Sequence, residues 1–164
     1  MEFTLKTISA EGVDPALAKA ELYRFLNEPE EAESICEDVL AVIPGHQLAL
    51  RTLGLALTDQ FSGGLTDRYA DAEKAFQQLS DQYERLYYTG LLYERRAKTQ
   101  LRAGRPPHTL TVLLEDAMHA YQEAEKIRPT GNDDAILRWN RCARLLHSRV
   151  ESDWHREVEL EMGE

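Results

Sequence analysis

The chain has 164 residues with 43% hydrophobic and 29% charged side chains, enough for one folded domain with a buried core and no call for a fibrous or low-complexity reading. Its 29 acidic residues outnumber 19 lysines and arginines, a formal net charge of −10, which argues against nucleic acid or anionic lipid as the main partner. No apolar run approaches the ~20 residues of a membrane span, and the first residues lack a signal-peptide pattern, so a cytoplasmic protein is expected.

Residues 1–12 read as a leader ahead of the folded domain at 13–150, with an acidic tail at 151–164. Asp14 and Pro15 open a first helix, because Asp caps well and Pro in the first turn forfeits no intrahelical bond. Ala16, Leu17, Ala20, Leu22, Tyr23 and Leu26 supply its apolar faces. Asn27, Glu28 and Pro29 break it and start a second helix to about Ile43, which Pro44 and Gly45 end. A third helix spans 46–60 on Leu48, Leu50, Leu53, Gly54, Leu55 and Leu57. Gly63 and Gly64 form a loop, and Thr66 or Asp67 caps a fourth helix through Ala72, Phe76 and Leu79. A long fifth helix covers 83–103 and stops at Gly104, Arg105, Pro106 and Pro107. The sixth runs over 109–127, and Pro129 to Asn132 interrupts the chain before a seventh helix over 133–150. The tail from Glu151 is acidic and read as lacking periodicity, and no strand pattern competes, so the chain is expected to be all-α.

One figure recurs along these helices. Ala117, Tyr121, Ala124 and Pro129 repeat the spacing of Ala32, Cys36, Val39 and Pro44, and Ala72, Phe76 and Leu79 repeat it in part. Small residues at Ala20, Gly54 and Gly90 precede each copy, where two helix backbones must approach closely. On these residues the chain resembles the tetratricopeptide repeat (TPR) family, as about three divergent repeats followed by a capping helix. The resemblance implies an antiparallel helix-pair solenoid of about seven helices. It departs from the family in spacing: Ala32 to Ala72 is 40 residues and Ala72 to Ala117 is 45, against a family period of about 34. The second excess lengthens the fifth and sixth helices and leaves the register of the fifth open by about one turn.

The resemblance further implies a non-catalytic interaction module that holds a partner peptide or helix in a groove lined by the first helix of each pair. That groove is expected to collect Glu21, Arg24, Arg51, Leu55, Tyr87, Leu91, Arg95 and Trp139. Leu17 and Glu21 stand where some TPR proteins place a Lys/Asn carboxylate clamp, which disfavours that mode. From Arg95 to Leu114 the chain holds Arg95, Arg96, Lys98, Arg102 and Arg105 with no acidic residue at all, and this basic hairpin is expected to project toward an acidic partner or a second copy. The expected partner is a protein or peptide, with self-association into a homodimer, or a scaffold, as the alternative; in size the chain also resembles the small TPR chaperones of bacterial secretion systems. The rival from another class is a metal-dependent enzyme using His119, which lies four residues from both Glu115 and Glu123. No phosphate loop, nucleophile elbow or paired zinc motif accompanies it, so no cofactor, metal or enzymatic activity is expected. Cys36 stands at the aromatic position of its repeat and reads as buried apolar filler.

Overall fold

The computed structural model describes residues 2–62, 68–104 and 107–163, with side chains left out at 107 and 150–158. The expected caps Thr66 and Asp67, the loop glycines Gly63 and Gly64, and Arg105 lie outside the described residues. Within them the fold is all-α, without a strand: a short 3-10 turn at Ala10–Gly12, then α1 (Val13–Phe25), α2 (Pro29–Val42), α3 (Gln47–Asp59), α4 (Tyr69–Gln77), α5 (Gln82–Arg102), α6 (Pro107–Lys126) and α7 (Asp134–Met162). No helix among them is long and apolar enough to cross a membrane.

The helix ends follow from local chemistry. At the end of α1 the Asn27 N–H donates to the Arg24 carbonyl at 3.0 Å and the Glu28 N–H to the Tyr23 carbonyl at 2.8 Å. This Schellman pair needs a left-handed residue between helix and turn, and Asn27 supplies it with φ +61°. Pro29 then opens α2 at its first position with Glu30 and Glu31 behind it, where acidic groups meet the positive helix end. The His46 imidazole accepts the Ala49 N–H at 3.3 Å to start α3, and the Asp81 carboxylate accepts the Glu84 N–H at 3.2 Å to start α5. Ahead of α1, the Ser9 hydroxyl accepts the Gly12 N–H at 3.1 Å and Ile8 packs on the first core cluster, so part of the expected leader is tied to the domain.

Each helix packs on the next along the chain, and α1–α3, α3–α5 and α5–α7 also touch. Three buried clusters result. Val13, Leu17, Ala20, Ala32, Cys36, Val39, Ala49 and Ala56 join α1, α2 and α3. Leu50, Leu57, Ala72, Phe76, Leu79 and Leu92 join α3, α4 and α5. Tyr83, Ala97, Leu110, Leu114, Ala117, Tyr121, Ala124, Ala135 and Cys142 join α5, α6 and α7. Helices α3 and α5 each serve two clusters, so the core is continuous from end to end.

Small residues sit under large ones at two of the crossings. A Cβ at Gly54 would overlap the Phe76 ring, and one at Gly90 would stand 2.7 Å from Tyr121 Cδ1. The Gly90–Tyr121 contact shows which turn of α5 meets α6. In the first cluster Ala20 and Cys36 are both fully buried, and no aromatic ring is among its fully buried members.

The main difference from the sequence reading lies at the C-terminus. The helix expected to stop near residue 150 continues to Met162, and α7 is 29 residues long. Val150, Trp154, Val158 and Met162 stand four residues apart in the sequence, the repeat of one helical face, so the stretch read as aperiodic tail carries a helix pattern after all.

Candidate functional site: a cationic pocket on the odd-numbered helices

The ends of α1 and α3, the second half of α5 and the first turns of α7 surround a pocket of about 590 Å³. Its polar lining is Glu21, Arg24, Asn27, Thr58, Asp59, Glu94, Arg95, Lys98, Thr99, Arg102 and Arg138, with Phe25 and Phe61 as the apolar part. Five cations therefore face three carboxylates, an excess of two positive charges on a chain of net charge −10.

Two carboxylates hold four of the five cations. Asp59 is the last residue of α3, where the helix dipole disfavours a negative charge. Two guanidiniums offset this: Arg24 Nε lies 2.8 Å from Asp59 Oδ2, and Arg95 Nη1 lies 2.5 Å from Oδ1. The single side chain thereby ties α1, α3 and α5 together. All three members keep about a fifth to a quarter of their side-chain surface in contact with solvent, at 22%, 19% and 28%, so the cluster remains reachable.

Glu94 is the deeper anchor. It is fully buried, and a buried carboxylate is tolerable only with charged and hydrogen-bonding partners. Lys98 Nζ stands 2.9 Å and Arg138 Nη1 3.2 Å from Glu94 Oε2, while the Tyr121 hydroxyl at 3.4 Å and the Cys142 thiol at 3.3 Å donate to Oε1. Partners from α5, α6 and α7 thus converge on one side chain. Burial, and then the Glu94 charge, push the Tyr121 hydroxyl far above its ordinary pKa. The same two causes, with the hydrogen bond to Glu94, push the Cys142 thiol up to about 12. Both groups therefore remain protonated donors at neutral pH. For Arg138, burial works against the charged form, but the Glu94 charge and a hydrogen bond to the Tyr87 hydroxyl outweigh it and raise its pKa.

Arg102 is the fifth cation. It is exposed at the end of α5 and enters no ion pair among the described residues. Phe25, 89% exposed, adds a large apolar surface at the mouth of the pocket.

Of the residues expected to line a groove, Glu21, Arg24 and Arg95 do meet in this pocket, and α7 contributes Arg138 where Trp139 was expected. The others lie elsewhere. Arg51 pairs with Glu84 at 2.8 Å, and Leu55 packs on the middle cluster. Tyr87 stacks on Tyr83, lies tilted against Tyr121, meets Tyr88 edge-on and reaches the pocket only through its hydrogen bond with Arg138. Leu91 is buried at 2% exposure, a packing residue. Trp139 is half-buried against the third cluster, and its indole N–H has no hydrogen-bond partner among the described residues.

The expected basic hairpin divides likewise. Lys98 and Arg102 turn into the pocket, while Arg96 lies over the Tyr69 ring with its guanidinium carbon 4.4 Å from the centroid. With Arg95 and Lys98 already paired inside the fold, the basic stretch lines a site rather than forming a free projection. Asp59, Glu94, Phe25 and Phe61 were not anticipated. Glu94 had a readable signal: it falls on the buried stripe Gly90, Glu94, Ala97, where a charge demands a partner.

The metal candidate fares differently. Glu123 accepts from Lys126 at 2.6 Å, which lowers its carboxyl pKa, and His119 is exposed. Among the described residues no three His, Cys, Asp or Glu side chains come together as a metal site. Cys36 and Cys142 are both free and buried, and burial pushes the Cys36 thiol up to about 12 as well.

Comparison with protein-family models, with curated proteins and with solved structures finds no match for this chain.

Proposed function

We propose that this chain is a non-catalytic, TPR-like helix-pair solenoid whose pocket holds an acidic segment of a protein partner. The observation that carries the reading is the convergence of α1, α3, α5 and α7 on one pocket with two excess positive charges, in a chain of net charge −10. In a helix-pair array those odd-numbered helices are the first members of each pair and share one face. The close seating of Gly54 under Phe76 and Gly90 under Tyr121 supports the same repeat. Arginines held in place by Asp59 and Glu94 are preorganised, so less side-chain entropy is lost when a partner carboxylate arrives. Phe25 and Phe61 offer apolar contact beside them. A polyphosphate fits less well, because the surrounding acidic surface repels a long anion while a short acidic segment meets only the pocket.

The test is fluorescence anisotropy with a labelled peptide rich in Glu and Leu, against a counterpart with Lys in place of Glu. The acidic peptide should bind, the basic one should not, and affinity should fall as salt screens the charges. Arg24→Ala with Arg102→Ala should weaken binding roughly tenfold, equivalent to about 1.4 kcal/mol. Asp59→Asn, which raises the excess positive charge of the lining from two to three, should strengthen it, the charge gained outweighing the preorganisation lost. Equal binding of both peptides, or affinities unmoved by these substitutions, would overturn the proposal.

A further inference from the structure

We infer that the acidic end of α7 in one copy of this chain occupies the cationic pocket of another copy. The inference rests on the pocket reading above and names an occupant for it.

The first observation is length. Helix α7 has 29 residues and packs on α6, which has 20, with lesser contact to α5, which has 21. A helix of 29 residues laid along one of 20 overruns it by at least nine, about 13 Å at ~1.5 Å per residue. The described residues at the end of that overrun, Glu159 to Met162, are exposed, with Leu160 at 71% and Met162 at 81%. An isolated helix end of this length is marginal in water, and its stability comes from packing an apolar face against something.

The second observation is charge. Residues 151–164 contain six acidic residues and one arginine. Pairing of two such ends side by side would set carboxylates against carboxylates. The pocket offers the complement: excess positive charge from Arg102 and the Asp59 and Glu94 clusters, with exposed Phe25 beside it. In the last turn of α7, Glu159, Leu160, Glu161 and Met162 point outward around the helix axis, so an end-on approach presents both carboxylates and apolar side chains to such a lining.

The third observation excludes the chain's own pocket. Arg138 is the contribution of α7 to that pocket, and Glu159 lies 21 residues further along the same helix. The separation is about 32 Å along the axis at ~1.5 Å per residue. A continuous helix cannot fold back over that distance, so the pocket that receives this end belongs to a second copy.

Sedimentation velocity on the full-length chain, from micromolar to hundreds of micromolar, tests this. Wild-type protein should associate with rising concentration and dissociate in high salt. Glu159→Lys with Glu161→Lys should remove association, as should Arg102→Glu with Asn27→Asp, each leaving the 18.7 kDa monomer with unchanged far-ultraviolet circular dichroism. An equal mixture of the two variants should recover association, because one keeps an intact pocket and the other an intact helix end. A wild-type monomer at every concentration, variants that associate as wild type does, or a mixture that stays monomeric would overturn the inference. If the wild type is monomeric while the acidic probe peptide still binds, the self-docking inference fails and the pocket reading stands.

Discussion

Replacing Glu94 by glutamine probes the physical centre of the site. The substitution keeps the shape of the side chain but removes the charge that Lys98 and Arg138 share, and it turns one acceptor oxygen into a donor facing those cations. Breaking a fully buried ion pair costs about 3–5 kcal/mol. Here the carboxylate is buried, with 1% of its side chain exposed, but Lys98 and Arg138 are 24% and 36% exposed and can turn partly to water. Tyr121 and Cys142 cannot, since both are buried: with the amide nitrogen toward the cations they keep only a neutral acceptor, and with the amide turned the other way both lose it. The expected loss is therefore smaller than for a sealed pair, about 2–3 kcal/mol. For a chain of this length that corresponds to a fall in melting temperature of roughly 5–10 °C. Urea unfolding followed by circular dichroism measures the free energy directly, and Tyr121→Phe, which removes one hydrogen bond, should cost about 1 kcal/mol in the same assay. If Glu94→Gln unfolds within about half a kcal/mol of wild type, inside the range of ordinary surface substitutions, the claim that one carboxylate ties α5, α6 and α7 together is wrong.

Gly90→Ala should destabilise the chain by about 1–2 kcal/mol, the overlap with the fully buried Tyr121 ring outweighing the helix propensity gained. Combining it with Tyr121→Leu should cost less than the two single changes added, and strict additivity in the urea series would refute the contact. Stability should also fall as the solution is made alkaline. The folded-state pKa values of Cys36 and Cys142 are both raised from about 9 to about 12, so above pH 9 the unfolded chain sheds protons that the folded chain keeps. The urea midpoint at pH 10 should lie below that at pH 7, and Cys36→Ala with Cys142→Ala should reduce the difference; an unchanged difference would mean the thiols are accessible in the fold.

The all-α architecture is legible because local signals and packing signals agree. Pro15, Pro29 and Pro44 mark helix ends through backbone chemistry that needs no tertiary context, and the observed helices begin and end within a few residues of those marks. The alternation of small and large residues is equally local in origin, since Gly54 and Phe76, or Gly90 and Tyr121, need only the spacing of consecutive helices to meet. The extent of α7 was missed for the opposite reason. The acidic residues of 151–164 suggest a solvated tail, and the four-residue spacing of Val150, Trp154, Val158 and Met162 is easily lost among them. Composition and periodicity pointed in different directions there, and periodicity governs the backbone.

The pocket was only half legible: Arg138 and the two carboxylates that anchor the cations, Asp59 and Glu94, were missed. Cations on α1 and α5 stand out in an acidic chain, so Arg24, Arg95, Lys98 and Arg102 could be marked as residues of interest without knowing where they point. What places them is a pair of carboxylates that bring together residues far apart in sequence. Asp59 joins Arg24 and Arg95 across 35 and 36 residues, and Glu94 joins Tyr121, Arg138 and Cys142 across 27, 44 and 48. One sequence carries no record of such pairings. It does carry the penalty that enforces them: a carboxylate on the Gly90–Ala97 stripe of α5 cannot be buried alone, and an aspartate at the end of α3 opposes the helix dipole. Each of these acids is locally unfavourable, and each is satisfied by side chains from other helices: Arg24 and Arg95 at Asp59, and Arg138, Tyr121 and Cys142 beside the same-helix Lys98 at Glu94. The charges that make the chain look merely acidic are, at these two positions, what holds its few cations in one place.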